Sequence, residues 1–538
     1  MASTKLCVTV SAHLKAKYSA ADRVRIDAAL AKWIKADAAR GIDTVCVALD
    51  DAGAMARHGG QAIAGRVTAL RAKRAIDALC RALAPQYVVI LGGHQIVPYF
   101  VVHNPSYSRK TGDDDREVIT DNPYACSASY RAADRKSYLI PDRVLGRITD
   151  LDDDADPRWL VDQLVQAAAW RPQPRSFFAP AYAVCCSAWA PAGAQCMHSV
   201  SVPSTELMIS PPTVDATPAA RKRLARKLHI IKCHGAQLEA AYFGQRGGSY
   251  PDALTSGAIK GRVAAGTLVA AMCCYGAQIY SPRDPAAKPA GALPVAAAYL
   301  REGALALMGS TKIAWVGPRT MACADWIVCG YVKAALAGAS IGRALQESKQ
   351  DYVRWLETEG QAPDLADEKT LIEFILLGDP SVHPVAASGV PAGVPASARA
   401  AAHAGERAQR RAVRTELAGH IRRNLPERSP VEQPQHDLAR RLFHLARSGM
   451  EAEGLAAPQA EPTDVRASRV TSKHAAAPQL ARGGRRVAAA ARPPDRRESV
   501  EYYWSSRHEA QGRMHIRLLK VEADADGNFL RWRLLHSA

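Results

Sequence analysis

The chain has 538 residues, 48% of them hydrophobic, and a formal net charge of +18 at pH 7. It is too long for one ordinary domain and apolar enough for a substantial core, so we expect more than one domain. The twelve cysteines show no Cys-x-x-Cys pair and no regular spacing, the first residues lack a signal-peptide core, and no transmembrane helix is evident. These features favour a cytoplasmic protein.

The first 384 residues alternate apolar, strand-like runs with segments of helical periodicity, which is typical of an α/β fold with a mainly parallel sheet flanked by helices. We expect an N-terminal α/β subdomain at residues 1–175 and a second subdomain at residues 176–384. Ser19 can cap a helix that reaches about Ala39, a second helix is predicted from Ile63 to Leu83, and a third begins at Pro157. The predicted strands are Lys5–Val10, Thr44–Leu49, Tyr87–Leu91, Tyr182–Cys186, His229–Lys232, Thr267–Ala271 and Ala304–Met308.

Residues 385–498 have a different composition, rich in Ala, Arg, Gly and Pro, with Phe443 as the only Phe, Trp or Tyr. This composition predicts a basic, largely disordered linker, in which 398–423 and 436–447 have helical composition. Residues 385–500 hold 20 Arg and Lys against 11 Asp and Glu, about half of the charge excess. With almost no aromatic side chains for base stacking, any binding of nucleic acid would be nonspecific.

Short strands return in residues 499–538, which we interpret as a small antiparallel β module. The strands are predicted at 500–504, 514–519 and 529–535, with Asp524–Gly527 as a hairpin turn. So small a sheet needs a surface to pack on. The module is therefore a candidate site for a regulatory partner.

Two strand-like segments in the second subdomain end in reactive side chains. His234 ends the first and is followed by Gly235, and Cys274 ends the second, with Gly276 close behind. Because α/β sheets place their ligand crevice at the carboxyl ends of strands, neighbouring parallel strands would present imidazole and thiol together. Either residue alone is more often a packing residue, and the pair at matching positions carries the prediction.

This pair has the chemistry needed to cleave a peptide bond. Cys274 would attack the carbonyl as a thiolate, and His234 would stabilise that thiolate and then protonate the leaving amine. The oxyanion needs nearby backbone N–H donors, and Gly235 lets the chain approach the substrate closely. Neither step requires a metal or a cofactor.

The chain resembles the gingipain-type branch of the caspase-like cysteine peptidases in an ordered set of motifs. These are Val89–Gly93 with Val97-Pro98, Cys233-His-Gly235, Cys273-Cys-Tyr-Gly276, Gly309–Trp315 and Phe374–Ser381, the last containing Gly-Asp-Pro-Ser. The resemblance covers about residues 85–384 and implies a caspase-like catalytic subdomain at 176–384. It makes His234 the general acid and Cys274 the nucleophile, with Gly235 and Cys274 supplying oxyanion N–H groups. It also implies that Trp315 walls the primary specificity pocket, with Ser310 as a second substrate-binding residue.

Three departures from the family limit what the resemblance implies. Cys273 and Cys274 are adjacent and point to opposite faces of a strand, and we choose Cys274 because its Tyr-Gly continuation fits the nucleophile motif better. The glutamate that gingipains carry after the strand Tyr182–Cys186 has no equivalent, so we predict a Cys-His dyad whose histidine is held by a backbone carbonyl. No carboxylate corresponds to the one that selects arginine, so arginine specificity is not implied.

Other constellations favour ordinary structural roles. The acidic runs 113–116 and 150–156 lack the glycine and distal glutamate of an EF-hand and are expected to be solvated loops and helix caps. The spacing of Cys185, Cys186, Cys196 and His198 fits no structural zinc pattern. The loop Gly244–Gly248 lacks the lysine of a phosphate-binding loop and is expected to border the cleft.

The sequence thus predicts a cysteine endopeptidase that acts on a protein or peptide substrate through a covalent acyl-enzyme. The alternative from another class is a binding or scaffold protein that kept the caspase-like fold without turnover. Such a protein would recruit partners through its basic tail and C-terminal sheet.

Overall fold

A computed structural model describes residues 3–109, 113–213, 217–386, 412, 414–423, 425–474, 495–510 and 513–537. Its strands are β1 (Ser3–Thr9), β2 (Ile42–Ala48), β3 (Tyr87–Leu91), β4 (Phe100–His103), β5 (Glu117–Thr120), β6 (Val144–Ile148), β7 (Tyr182–Cys186), β8 (Leu207–Ser210), β9 (Leu228–Lys232), β10 (His234–Gly235), β11 (Ala241–Phe243), β12 (Asp252–Thr255), β13 (Leu268–Ala271), β14 (Ala306–Ser310), β15 (Trp315–Val316), β16 (Phe374–Leu377), β17 (Glu427–Pro430), β18 (Arg466–His474), β19 (Asp495–Ala510), β20 (Arg513–Asp524) and β21 (Phe529–Ser537). The α-helices are α1 (Ser11–Lys17), α2 (Ala20–Ala39), α3 (Ala52–Ala56), α4 (Ala69–Leu83), α5 (Arg158–Ala169), α6 (Ala190–Ser199), α7 (Pro218–Lys222), α8 (Ser256–Ile259), α9 (Val295–Arg301), α10 (Ala324–Leu336), α11 (Ile341–Thr358), α12 (Leu365–Glu373), α13 (414–423) and α14 (His436–Ala452).

One ten-stranded sheet runs through the first 384 residues, in the order β2-β1-β3-β6-β16-β14-β13-β9-β7-β8. β16 and β14 are antiparallel neighbours, and they divide the sheet into two sets of five strands. Within each set, from β2 to β16 and from β14 to β8, all neighbouring strands are parallel. This confirms the predicted α/β class with a mainly parallel sheet. The expected subdomains at 1–175 and 176–384 each contribute one side, except that β16 joins the N-terminal side.

Several predicted elements are confirmed because their signals are local. Ser19 Oγ accepts a hydrogen bond from the Asp22 N–H, and α2 ends at Ala39 as predicted. The predicted strands Tyr87–Leu91 and Tyr182–Cys186 are found with the same bounds, since both are short apolar runs buried on both faces. The second predicted helix starts at Ala69 instead of Ile63, because Thr68 caps it.

A second, antiparallel sheet has the order β15-β21-β20-β19-β18-β17 and is built mostly from the C-terminal part of the chain. Helix α14 packs on one face of it, burying Phe443 and Met450 against Trp504 and Leu519. We call residues 425–474, 495–510 and 513–537 the C-terminal module. No helix in the described ranges has both the length and the apolar character needed to cross a membrane.

The C-terminal module is larger than the sequence predicts. Residues 425–474 were expected to be linker, yet β17, α14 and β18 lie there and belong to the module. The strands β17 and β18 are polar and arginine-rich, so no alternating apolar pattern marks them in the sequence. They are ordered by sheet pairing and by packing with α14. In the rest of the expected linker, α13 lies within the stretch 398–423 that has helical composition, whereas 387–411 and 475–494 lie outside the described residues.

Candidate active site

The two reactive strand ends lie side by side in the large sheet. β9 and β13 are parallel neighbours whose pairing ends with Ile231 opposite Ala271, and His234 and Cys274 each follow three residues after this pair. A Cβ atom added to Gly235 would lie 1.9 Å from the carbonyl oxygen of Cys274, so the two backbones touch directly after the histidine. Only glycine allows this approach.

The two adjacent cysteines point to opposite sides of the sheet. Cys274 packs with Met272 and Trp315 in one core cluster, whereas Cys273 packs with Cys233 in the cluster on the other side. The His234 ring packs on Trp189, which belongs to the same core cluster as Cys274, so His234 lies on the side of Cys274. Alternation along the strand thus separates the candidate nucleophile from its neighbour.

The Cys274 thiol is enclosed at a tight turn. Its Sγ accepts a hydrogen bond from the Ala314 N–H at 3.3 Å, and the side chain is almost fully buried. Burial raises the pKa of the thiol well above its ordinary value, with the Ala314 N–H opposing that rise. The next residue, Tyr275, has a φ of +54°, a left-handed conformation that is uncommon for a residue with a side chain.

The imidazole of His234 is held by a side-chain amide. Its Nε2 lies 2.9 Å from Gln245 Oε1, and its ring packs on Trp189 at a centroid distance of 4.2 Å. Burial lowers the pKa of His234 to about 4, and the hydrogen bonds to Gln245 and to the backbone of Ser537 oppose that shift. The ring is therefore neutral at pH 7. Among the described atoms, no hydrogen bond joins it to Cys274 Sγ.

The sequence does not predict Gln245 as the partner of His234, although it predicts that the loop carrying Gln245 borders the cleft. The expected partner of the histidine was a backbone carbonyl, and the loop Gly244–Gly248 was expected only to border the cleft. β10 and β11 form an antiparallel hairpin with His234 opposite Phe243, which returns the chain to the histidine and places Gln245 beside it. The chain after β7 supplies Trp189, on which the His234 ring packs.

Ser310 and Trp315 line the two ends of the loop that follows β14. Ser310 is fully buried, and its Oγ lies 2.9 Å from the Cys273 carbonyl oxygen, where it braces the turn that carries Cys274. Trp315 is also fully buried, and its backbone pairs with Ser537 of β21. The predicted pocket residue is thus covered by the C-terminal module.

A buried carboxylate connects the nucleophile turn to this loop. Asp115 accepts hydrogen bonds from the Tyr275 hydroxyl at 2.8 Å and from the Ile313 N–H at 2.9 Å. Burial alone would raise the pKa of Asp115, but the positive charges of Lys369 and Lys312 outweigh this effect and lower it. Asp115 and its neighbour Asp113 were expected in a solvated loop, which is wrong: both are buried and paired with Lys369. The pairing was invisible in the sequence because Lys369 lies in α12, far along the chain.

Side chains of the C-terminal module complete the surroundings of the histidine. His515 packs edge-on against His234 at 4.7 Å between ring centroids, and it stacks on Tyr250 at 3.5 Å. Trp189 Nε1 lies 3.2 Å from Nδ1 of His536, so Trp189 donates to a neutral ring. Burial lowers the pKa of His536 to about 3.

No protein-family model matches the sequence, and no curated protein matches it significantly. The functional inferences below therefore rest on the residues of this chain and their arrangement.

Proposed function

We propose that the protein is a cysteine endopeptidase with a caspase-like catalytic domain, in which Cys274 is the nucleophile and His234 the general acid and base. The observation that carries this proposal is that β9 and β13 are adjacent parallel strands that end together, with His234 and Cys274 each three residues beyond the last pair, Ile231 and Ala271. The contact between Gly235 and the Cys274 carbonyl supports it. Both residues lie at the carboxyl ends of central parallel strands, where α/β proteins place their reactive groups.

The reaction uses these groups in two stages. In the first, His234 takes the thiol proton and Cys274 Sγ attacks the peptide carbonyl carbon. The backbone N–H groups of Gly235 and Cys274 donate to the oxyanion, a contribution typically worth about 3 kcal/mol for each donor. As the carbon–nitrogen bond breaks, the imidazolium returns its proton to the leaving amine, and a thioester remains. In the second stage water hydrolyses the thioester and regenerates the thiol.

Gln245 supports the chemistry by fixing the ring. Its carbonyl oxygen lies 2.9 Å from His234 Nε2, so it sets the tautomer, and Nδ1 is the nitrogen that would exchange a proton with the thiol once the Ser537 backbone no longer bonds to the ring. A neutral amide stabilises the imidazolium less than a carboxylate does, because it carries no charge. We expect a dyad with an orienting amide.

A thiol trap built on a short peptide tests this assignment. The probe should label Cys274 in a chain that ends at Leu535, which lacks the two residues paired with β15, and also when that chain carries Cys273→Ala, since Cys273 faces the other side of the sheet. It should not label the same chain with Cys274→Ala, and cleavage of a denatured protein substrate should disappear when that chain carries Cys274→Ala or His234→Ala. Equal labelling of the shortened chain with and without Cys274→Ala would eliminate the peptidase assignment.

One observation favours the second candidate, a binding protein that has kept the fold without turnover. Cys274 and His234 are both buried and uncharged, and neither is hydrogen bonded to the other in the described structure. This candidate predicts that no treatment that exposes the site produces cleavage. The labelling experiment separates the two, because a scaffold has no need of a reactive thiolate.

A further inference from the structure

The C-terminal strand lies along the edge of the candidate cleft. β21 pairs with β15 in antiparallel orientation, with His536 opposite Val316 and Ser537 opposite Trp315. An extended peptide that adds to a free sheet edge makes the same backbone hydrogen bonds. Residues 536–537 therefore occupy the edge that a peptide beside Trp315 would need.

The direction of β21 points its backbone toward the nucleophile. Because the pairing is antiparallel, the step from His536 to Ser537 corresponds to the step from Val316 back to Trp315. The next residue in that direction is Ala314, whose N–H donates to Cys274 Sγ. Residues before a scissile bond approach a nucleophile with this polarity.

A buried ionic contact anchors β21 in place. The Arg533 guanidinium lies 3.1 Å from an Asp364 carboxylate oxygen and 2.9 Å from one of Asp367, both at the start of α12. It also reaches the hydroxyl of Tyr352 at 3.2 Å. Since both carboxylates are almost fully buried, removal of the guanidinium would leave them without this partner in a site shielded from water.

The same module covers the candidate general acid. His515 of β20 packs on His234, and the backbone of Ser537 is hydrogen bonded to its ring. The β15–β21 contact is only two residue pairs long, whereas β20 and β21 pair along most of their length. The rest of the module stays joined to the first 384 residues, because Tyr503, Ile516 and Leu518 lie in the main hydrophobic core and Lys520 pairs with Asp364. Release therefore concerns the end of β21 and not the whole module.

We propose that β21 is an intramolecular inhibitor of the peptidase. It fills the peptide-binding edge beside Trp315, and Arg533 anchors it in the acidic pocket of Asp364 and Asp367. The enzyme becomes active when β21 is released. This inference rests on the proposed function. A competing peptide would be extended and would carry a basic side chain at the position of Arg533. The neutral state of His234, whose pKa is lowered by burial, agrees with a closed, resting enzyme.

Substitution of the anchor tests the inference in the full-length protein. Arg533→Gln should speed hydrogen exchange of the backbone amides of Trp315 and Val316, the two residues paired with β21, by at least about a hundredfold, the order expected when a buried ion pair loses one partner. Cleavage of a denatured, dye-quenched protein should rise with it. Arg531→Gln is the matched control, because Arg531 lies on the same strand but pairs with Glu522 inside the module. It should leave exchange and cleavage at the wild-type level.

Each outcome separates the inference from the proposed function. Unchanged exchange and unchanged cleavage in Arg533→Gln would overturn the inhibitory role and leave the peptidase assignment standing. Faster exchange with no cleavage by any variant would refute the peptidase and, with it, the inhibitory role.

Two further measurements apply if Arg533→Gln does not fold. A chain that ends at Leu535 keeps the Arg533 anchor but lacks both residues paired with β15, and it should show the same gain in exchange and cleavage. A second chain, which ends at Asn528, lacks β21 and Arg533 and leaves the acidic pocket open. A synthetic peptide of residues 529–537 should inhibit this second chain, whereas the same peptide with Gln at 533 should inhibit it at least about tenfold less, corresponding to about 1.4 kcal/mol. Equal inhibition by the two peptides would overturn the role of Arg533 as the anchor.

Discussion

Replacing Gly235 by alanine perturbs the contact between the two strand ends most directly. The added Cβ would lie 1.9 Å from the Cys274 carbonyl oxygen, and real Cβ atoms essentially never come closer than 3.0 Å. The two backbones must therefore separate by about 1.1 Å, the difference between these distances. The atom that blocks the methyl group is backbone, so no side-chain rotation relieves the clash.

The displacement should reduce activity more than stability. A misplacement of about 1 Å in a reacting group can cost about a hundredfold in rate, so we expect kcat/KM to fall by about that factor. Overpacking of this kind costs about 1–3 kcal/mol, which urea denaturation followed by circular dichroism would measure. A larger loss of stability would mean that the strand ends cannot separate without unfolding the sheet.

Gly248→Ala provides the matched control for this experiment. A Cβ at Gly248 meets no heavy atom within 4 Å, and the residue lies in the same loop as Gln245. Both variants are assayed in the Arg533→Gln background against a dye-quenched denatured protein. Wild-type kcat/KM in Gly235→Ala would refute the close approach of His234 and Cys274. A comparable loss in Gly248→Ala would show that the effect is not specific to that contact.

Three further predictions concern the groups around the dyad. Gln245→Leu should lower kcat about tenfold, because the His234 ring loses its orientation. Gln245→Glu should raise the His234 pKa above its value of about 4, as followed by NMR, because a carboxylate favours the imidazolium. An unchanged pKa in Gln245→Glu would contradict the contact. The free energy of unfolding should fall by about 2 kcal/mol between pH 8 and pH 5 from His234 alone. The unfolded chain takes up a proton near pH 6.5 and the folded chain only near pH 4, so stability is lost as the pH falls. His234→Gln should show a correspondingly smaller fall in urea titrations at the two pH values. Asp115→Asn should cost about 2 kcal/mol of stability by weakening charge-assisted hydrogen bonds, measured by urea denaturation, whereas Asp114→Asn at an exposed neighbouring position should cost less than about 0.5 kcal/mol.

Local signals account for the parts of the fold that the sequence predicts well. A cap such as Ser19 and a short, wholly apolar run such as Tyr182–Cys186 act over one or two turns of chain, so their neighbours in sequence determine them. The alignment of the two strand ends that carry His234 and Cys274 was predictable for a related reason. Parallel strands align at their carboxyl ends, and both residues sit at equal distances from the start of their strands.

The features that escaped prediction depend on contacts between distant segments. β16 follows α12 without an intervening turn, so no boundary residue marks the change from helix to strand. Lys369 neutralises Asp115 across the fold, and Ser537 reaches Trp315 from the last described strand. Gln245 is nearer in sequence, but a glutamine in a glycine-rich loop has no pattern that distinguishes a partner of histidine from a surface residue.

The position of β16 has a consequence for how the protein is made. It separates the two halves of the large sheet, although 225 residues lie between β6 and β16 along the chain. At about 5–20 residues per second, a ribosome needs roughly 11–45 s to add those residues. Throughout that interval β6 presents an unpaired edge, which is a surface prone to pairing with other chains. We therefore expect the nascent N-terminal half to depend on a chaperone during synthesis.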